Sequence, residues 1–142
     1  MLRQFLVGGG VAVINIAIHA LVMTIVIAVA QAGAATKVAH PSLFLTAVMI
    51  PTVSVLMATH ALEVMVWAVA YSIVDAAPKD ADLMYFAFVN YATLGYGDVV
   101  PLPRWRLLGP MTSMNGALMF GWSTAVIFEV MRKAMERGLQ RR

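Results

Sequence analysis

At 142 residues the chain is one domain by length, and with 61% hydrophobic and only 12% charged residues it falls outside the soluble globular class. It has no cysteine, which excludes a disulfide framework, thiol catalysis and cysteine metal sites. The formal net charge is +3, but five of the ten basic residues (Arg132, Lys133, Arg137, Arg141 and Arg142) crowd the last eleven positions. That placement reads as a juxtamembrane cluster against anionic lipid. No basic patch interleaved with exposed aromatics occurs elsewhere, so nucleic acid is excluded as a partner.

In chain order, the first apolar run covers residues 6–32, long enough to cross a bilayer, which needs about 20 residues. Ala30-Gln31-Ala32 resembles a signal-peptidase site, but the run before it is long and its basic flank is only Arg3, so a retained helix is expected. His40, beside Pro41 in a loop, reads as a solvated residue. A second run covers 43–74, with Pro51 near its start and Trp67 and Tyr71 toward its end. Asp75, Pro78, Lys79, Asp80 and Asp82 then form a polar break. The apolar stretch LMYFAFVNYA that follows is too short to span and suits a half-helix over 82–92, capped by Asp80 or Asp82. After it come TLGYGD at 93–98, a loop through Pro101 and Pro103, and a third apolar run over 107–131. Non-helical backbone at membrane depth is tolerated only where protein covers it or it lines a watery cavity. The order of span, short helix, glycine-rich strand and span therefore suggests a re-entrant pore loop.

Thr93-Leu94-Gly95-Tyr96-Gly97-Asp98 resembles the TVGYGD selectivity filter of the potassium channel pore family, with leucine as a mild variant in the second place. The bland alternative, a glycine-rich turn between two helices, is disfavoured by six residues in register behind a short helix and between two spans. Stripping water from K⁺ needs a stack of oxygens aimed at one axis, and backbone carbonyls supply it. Gly95 and Gly97 permit the backbone conformations this requires. The resemblance covers roughly 43–131 and implies K⁺ sites at the carbonyls of Thr93, Leu94, Gly95 and Tyr96, with the Thr93 hydroxyl completing the innermost. It further implies that the Tyr96 ring braces the filter against the pore helix and that Asp98 sits at the outer mouth. One filter strand cannot surround an ion, so a C4 homotetramer is implied. Trp105 falls where the family often has an aromatic at the start of the inner helix. Tyr85 and Phe86 stand where many bacterial members have a tryptophan pair. Val89 stands where some have a glutamate bonded to the filter aspartate, leaving Asp98 to find another partner or face water. Gly116 and Gly121 are gating-hinge candidates by the resemblance, with close helix packing as the equal alternative. Asn115 and Ser123 are candidates for the cavity face, which periodicity alone does not decide.

His60 and Glu63 in the second span lie three apart, on one helix face, and Asn15 and His19 lie in the first. Polar and ionisable groups at that depth are costly and mark functional candidates. Three readings stand: a hydrogen-bonded cluster tying the first helix to the pore unit, a gating or proton-sensing role, and a metal pair (H-x-x-E) lacking a certain third ligand. Depth along the helices places Glu63 near Asn90, Tyr91 or His60 rather than against lipid. No span repeats arginine at every third position, so a voltage sensor of the usual kind is absent, and no nucleophile–base pair or phosphate loop indicates an enzyme.

The expected architecture is an all-α membrane protein: three transmembrane helices plus a re-entrant pore helix and filter loop. Residues 1–42 form an added N-terminal helix and loop. Residues 43–131 form the pore domain, with outer helix 43–74, pore helix 82–92, filter 93–98 and inner helix 107–131. Residues 132–142 form a basic cytoplasmic tail. The expected function is a potassium-selective channel subunit in the plasma or inner membrane, with K⁺, lipid and its own copies as partners and no cofactor beyond the permeant ion. The C-terminus is expected inside and the N-terminus outside. The alternatives are a weakly selective cation channel and a non-conducting structural or accessory protein that keeps the pore-loop fold.

Overall fold

The computed structural model describes residues 1–33 and 41–140; His40, Arg141 and Arg142 lie outside the described residues. Four α-helices occur among the described residues, with no strand: α1 (Leu2–Gly33), α2 (Pro41–Val74), α3 (Leu83–Tyr91) and α4 (Leu108–Gln140). A single 3₁₀ turn, Pro103–Trp105, precedes α4. The segments Leu2–Val29 and Leu43–Val74 are long and apolar enough to cross a membrane. At 1.5 Å per residue each rises more than the ~30 Å hydrocarbon core.

The helix ends follow from local chemistry. Asp75 takes a left-handed conformation (φ 49°) just past α2, and the Ala76 amide donates to the Tyr71 carbonyl at 2.9 Å. Aspartate tolerates that conformation better than most residues, so it closes the helix where glycine is usual. Asp82, not Asp80, caps α3: one carboxylate oxygen accepts from the Met84 and Tyr85 amides, both at 3.0 Å. α4 outruns its apolar run because Glu129, Arg132, Lys133 and Glu136 pair at helical spacing, with N–O distances of 2.6 to 3.1 Å. Each such exposed pair contributes only about 0.3–0.5 kcal/mol, enough to extend a helix already nucleated by packing. The basic segment is thus helical as far as Gln140.

Three contacts fix how the helices sit. The Leu107 amide donates to Gln4 Oε1 at 2.9 Å, and the Arg3 guanidinium lies 5.0 Å over the Trp105 ring. The Leu102 amide donates to the Ala76 carbonyl at 2.7 Å. The starts of α1, α3 and α4 and the end of α2 therefore share one end of the bundle, with α1 parallel to α4 and α2 antiparallel to both. At that end Trp67, Tyr71, Phe86, Tyr91, Trp105 and Leu108 form the larger core. Tyr71 and Phe86 ring centroids are 4.9 Å apart, and Tyr71 donates to Thr112 Oγ1 at 2.5 Å while Thr112 donates to the Leu108 carbonyl. At the other end Met23, Val26, Leu56, Val126 and Val130 join α1, α2 and α4. Many large apolar residues, among them Leu6, Val13, Ile25, Met57 and Ile73, stay exposed on the outside of the bundle, as a lipid-facing surface requires.

Candidate functional site

The short helix α3 delivers the chain into 93–98. Its last turn closes with the Leu94 amide on the Val89 carbonyl at 2.9 Å, across a left-handed Thr93. From there φ alternates in sign: Thr93 is at 61°, Gly95 at 59° and Gly97 at 79°, while Leu94 and Tyr96 keep negative φ. A β-branched residue with positive φ is an outlier that surrounding structure must hold in place. The Leu94 and Tyr96 side chains are 56% and 67% exposed in the single chain. In the single chain the Tyr96 ring is thus largely open, with its phenol near enough to Tyr85 of α3 to act on it electrostatically.

Asp98 has a partner that the sequence left open. Tyr85, on the first turn of α3, donates to Asp98 Oδ2 at 2.6 Å, and the Val99 amide donates to Oδ1 at 3.0 Å. The Tyr85 hydroxyl holds the Asp98 carboxyl below its ordinary range, and Asp98 in turn raises the Tyr85 phenol. The bond needs the ionised carboxylate, so what it contributes is present above the ordinary carboxylate range and is lost as pH falls through the depressed value. Tyr85→Phe is expected to raise the Asp98 pKa back toward its ordinary range. An NMR titration of the Asp98 carboxyl carbon checks this, and an unchanged pKa would mean that the bond is not formed.

Beneath the loop, α4 presses on the end of α3. Ser113 donates to the Asn90 carbonyl at 2.8 Å. A Cβ built on Gly116 would collide with the Tyr91 carbonyl oxygen and lie 2.9 Å from its carbon, whereas nothing approaches within 4 Å of one on Gly121. Gly116 is therefore a close-packing position, and α4 runs unbroken through both glycines.

Deeper still is a polar network inside the bundle, buried except for a small exposed part of His60. Glu63 and His19 have no exposed side-chain surface. Glu63 Oε1 is 2.8 Å from His19 Nδ1, and Oε2 is 3.2 Å from His60 Nδ1 and accepts a short hydrogen bond from the Tyr91 hydroxyl. His60 Nδ1 also lies 3.0 Å from that hydroxyl. Ser123 Oγ sits 2.9 Å from His60 Nε2 and 3.4 Å from His19 Nε2. Asn15 joins a neighbouring set: its amide donates to the Glu63 carbonyl at 3.2 Å and to Asn115 Oδ1 at 3.0 Å, which also accepts from Trp67 Nε1 at 2.9 Å. Asn115 and Ser123 thus face the other helices and are buried, not open to a cavity; bonds to groups on α1 and α2 decide the rotation of α4. Asn90 instead donates to the Phe86 carbonyl. All four helices meet in this network, and the pairing of His19 with Glu63 had no local sequence signal, being 44 residues apart.

No curated protein and no solved structure matches the chain significantly. The family model described as "Ion channel" matches residues 59–133, from the C-terminal half of α2 through α3, the 93–98 loop and most of α4. Since that match takes in more than half of the sequence, the chain belongs to this ion channel family.

Proposed function

We propose that the chain is the subunit of a potassium-selective channel, assembled as a C4 homotetramer and conducting K⁺ passively through the backbone carbonyls of Thr93, Leu94, Gly95 and Tyr96. The observation that carries this reading is the alternation of positive φ at Thr93, Gly95 and Gly97. Alternating backbone hand turns successive carbonyls toward one direction, which an ordinary strand does not do, and a stack of such oxygens can replace the hydration shell of K⁺. The exposure of the loop in one chain supports assembly, because irregular backbone at membrane depth has to be covered by protein or line an aqueous path. Four copies would do both. α4 then serves as the third crossing beside α1 and α2, and the C-terminal end of each α3 turns its negative dipole toward a central cavity. Asp98, tethered by Tyr85, marks the outer mouth, and ion channel membership favours a passive pore over a catalyst.

The test is Rb⁺ uptake by liposomes holding the purified chain, compared with Na⁺. Strong preference for K⁺ and Rb⁺ supports the proposal. Equal Na⁺ uptake favours the weakly selective pore, and no uptake of any ion favours the non-conducting accessory role.

Orientation follows from the same reading. The α1 start lies at the end of the bundle that holds Trp105, so an outward-facing Asp98 places Met1 outside and the Arg132 segment inside. The chain has no cysteine, so Leu2→Cys, at an exposed position, provides a clean probe. Labelling of intact cells by an impermeant maleimide is expected; labelling only after lysis would reverse the orientation.

A further inference from the structure

The Glu63 network has the makings of a site for something other than K⁺. H-x-x-E on α2 supplies two metal-ligating side chains on one face, and the weakness of that pair as a metal site is the lack of a third ligand. The fold supplies it: His19 of α1 brings Nδ1 to Glu63, and one ligand atom from each of His19, His60 and Glu63 lies within 4.8 Å of the others.

Two features distinguish the arrangement from a chance cluster. Both imidazoles turn the same nitrogen, Nδ1, toward the Glu63 carboxylate. Both turn the other, Nε2, toward one oxygen, Ser123 Oγ. Metal-bound histidines commonly use their second ring nitrogen in this way, on an outer oxygen that fixes tautomer and ring orientation. In the tautomer with Nε2–H directed at Ser123, two Nδ1 lone pairs and an anionic carboxylate converge on one point, a set that a cation between them satisfies. A proton meets the need singly; a divalent ion meets it for all three ligands. Zinc–nitrogen and zinc–oxygen bonds of about 2.0–2.2 Å place neighbouring tetrahedral ligands roughly 3.3–3.5 Å apart. The histidine–carboxylate separations of 2.8 and 3.2 Å lie close to that, and rotation of the imidazoles has to close the wider histidine–histidine gap, which is within 4.8 Å. The Tyr91 hydroxyl lies beside two of these groups, on the Glu63 carboxylate and 3.0 Å from His60 Nδ1.

We propose that His19, His60 and Glu63 bind one Zn²⁺-type divalent transition-metal ion per chain, with Tyr91 beside it and Ser123 as the outer support of both histidines. Two imidazoles and a carboxylate suit Zn²⁺ or Co²⁺ rather than Ca²⁺ or Mg²⁺, which prefer oxygen ligands. The ion pins α1 to α2 and, through Tyr91, to the base of the 93–98 loop.

The experiment uses the intact protein, purified without a histidine tag, stripped with chelator and titrated with Co²⁺ and then Zn²⁺. One ion per chain is expected, with the strong visible bands of four-coordinate Co²⁺, bleached by Zn²⁺. Affinity is expected to fall in acid, where protons compete with the metal for the ligand atoms. Ser123→Ala is expected to weaken binding by about 10–100-fold, and His19→Gln or Glu63→Gln by more. A wild-type chain that takes up no stoichiometric Co²⁺ or Zn²⁺ at micromolar metal overturns the proposal, leaving a hydrogen-bonded network alone. Uptake unchanged in the His19→Gln/Glu63→Gln double variant overturns it equally. The wild-type spectrum decides by itself if a variant fails to fold, and neither result depends on whether the chain conducts K⁺.

Discussion

Gly116→Ala is expected to prevent stable assembly. The added Cβ would occupy the place of the Tyr91 carbonyl, a backbone group at the end of α3 that has no room to retreat because Glu63 and His60 hold its side chain. Overpacking against flexible side chains costs about 1–3 kcal/mol, and here the obstacle is main chain, so the upper end or beyond is expected. Relief would require α4 to move away from α3, breaking the Ser113 bond to Asn90 and displacing the loop that starts at Thr93. Gly121→Ala is the control. Apart from its own helix backbone, no atom of the described residues lies within 4 Å of its Cβ, and alanine favours a helix over glycine by up to about 1 kcal/mol. Thermal melts followed by circular dichroism, with size-exclusion profiles, separate the two variants. A well-folded Gly116→Ala with wild-type stability would contradict the close packing, and conduction lost only in Gly121→Ala would mark Gly121 as a hinge.

Gly95→Ala is expected to abolish ion flux while leaving the fold nearly intact. Gly95 meets no atom within 4 Å in its chain, so sterics do not forbid a methyl group; its φ of +59° does. An L-residue there costs about 1–2 kcal/mol, and in a tetramer that cost falls four times on one short segment. The cheapest escape is to flip φ negative, which turns a carbonyl out of the shared direction and removes one ring of oxygens. Rb⁺ uptake should therefore fall to background while helicity and melting change little. Flux retained at more than a tenth of wild type would mean that the alternating backbone is not the conducting element.

Several elements were legible in the residues themselves. Apolar runs with hardly a charge announced α1 and α2, and the polar break at Asp75–Asp82 separated α2 from a stretch too short to span, now seen as Leu83–Tyr91. The glycines at 95 and 97 signalled unusual backbone because few other residues accept positive φ; that Thr93 shares it was not signalled, since threonine rarely does. The reach of Glu63 to Tyr91 and His60 followed from depth counting along two helices. Its bond to His19 did not follow from depth: Asn15 and His19 mark one face of α1 and suggested a cluster tying that helix to the pore unit, but not which group each would meet. The same ambiguity made Asn115 and Ser123 look like cavity residues when hydrogen bonds turn them inward. The extension of α4 past residue 131 was hidden because loss of apolarity looked like loss of helix, whereas Glu129, Arg132, Lys133 and Glu136 support helix by pairing. Tyr85 as the partner of Asp98 was out of reach for a different reason: the loop that brings them together is defined by backbone signs, not by hydrophobic pattern.

The most direct test of K⁺ conduction through the 93–98 carbonyls is the bi-ionic reversal potential of the purified chain in a planar bilayer, with K⁺ on one side and Na⁺ on the other. Each tenfold preference moves the reversal potential by about 59 mV for a monovalent ion. A displacement beyond that value, in the direction that marks K⁺ as the permeant ion and absent from Gly95→Ala, is expected. A reversal potential near zero in the wild-type chain, with currents of similar size in both directions, would contradict it.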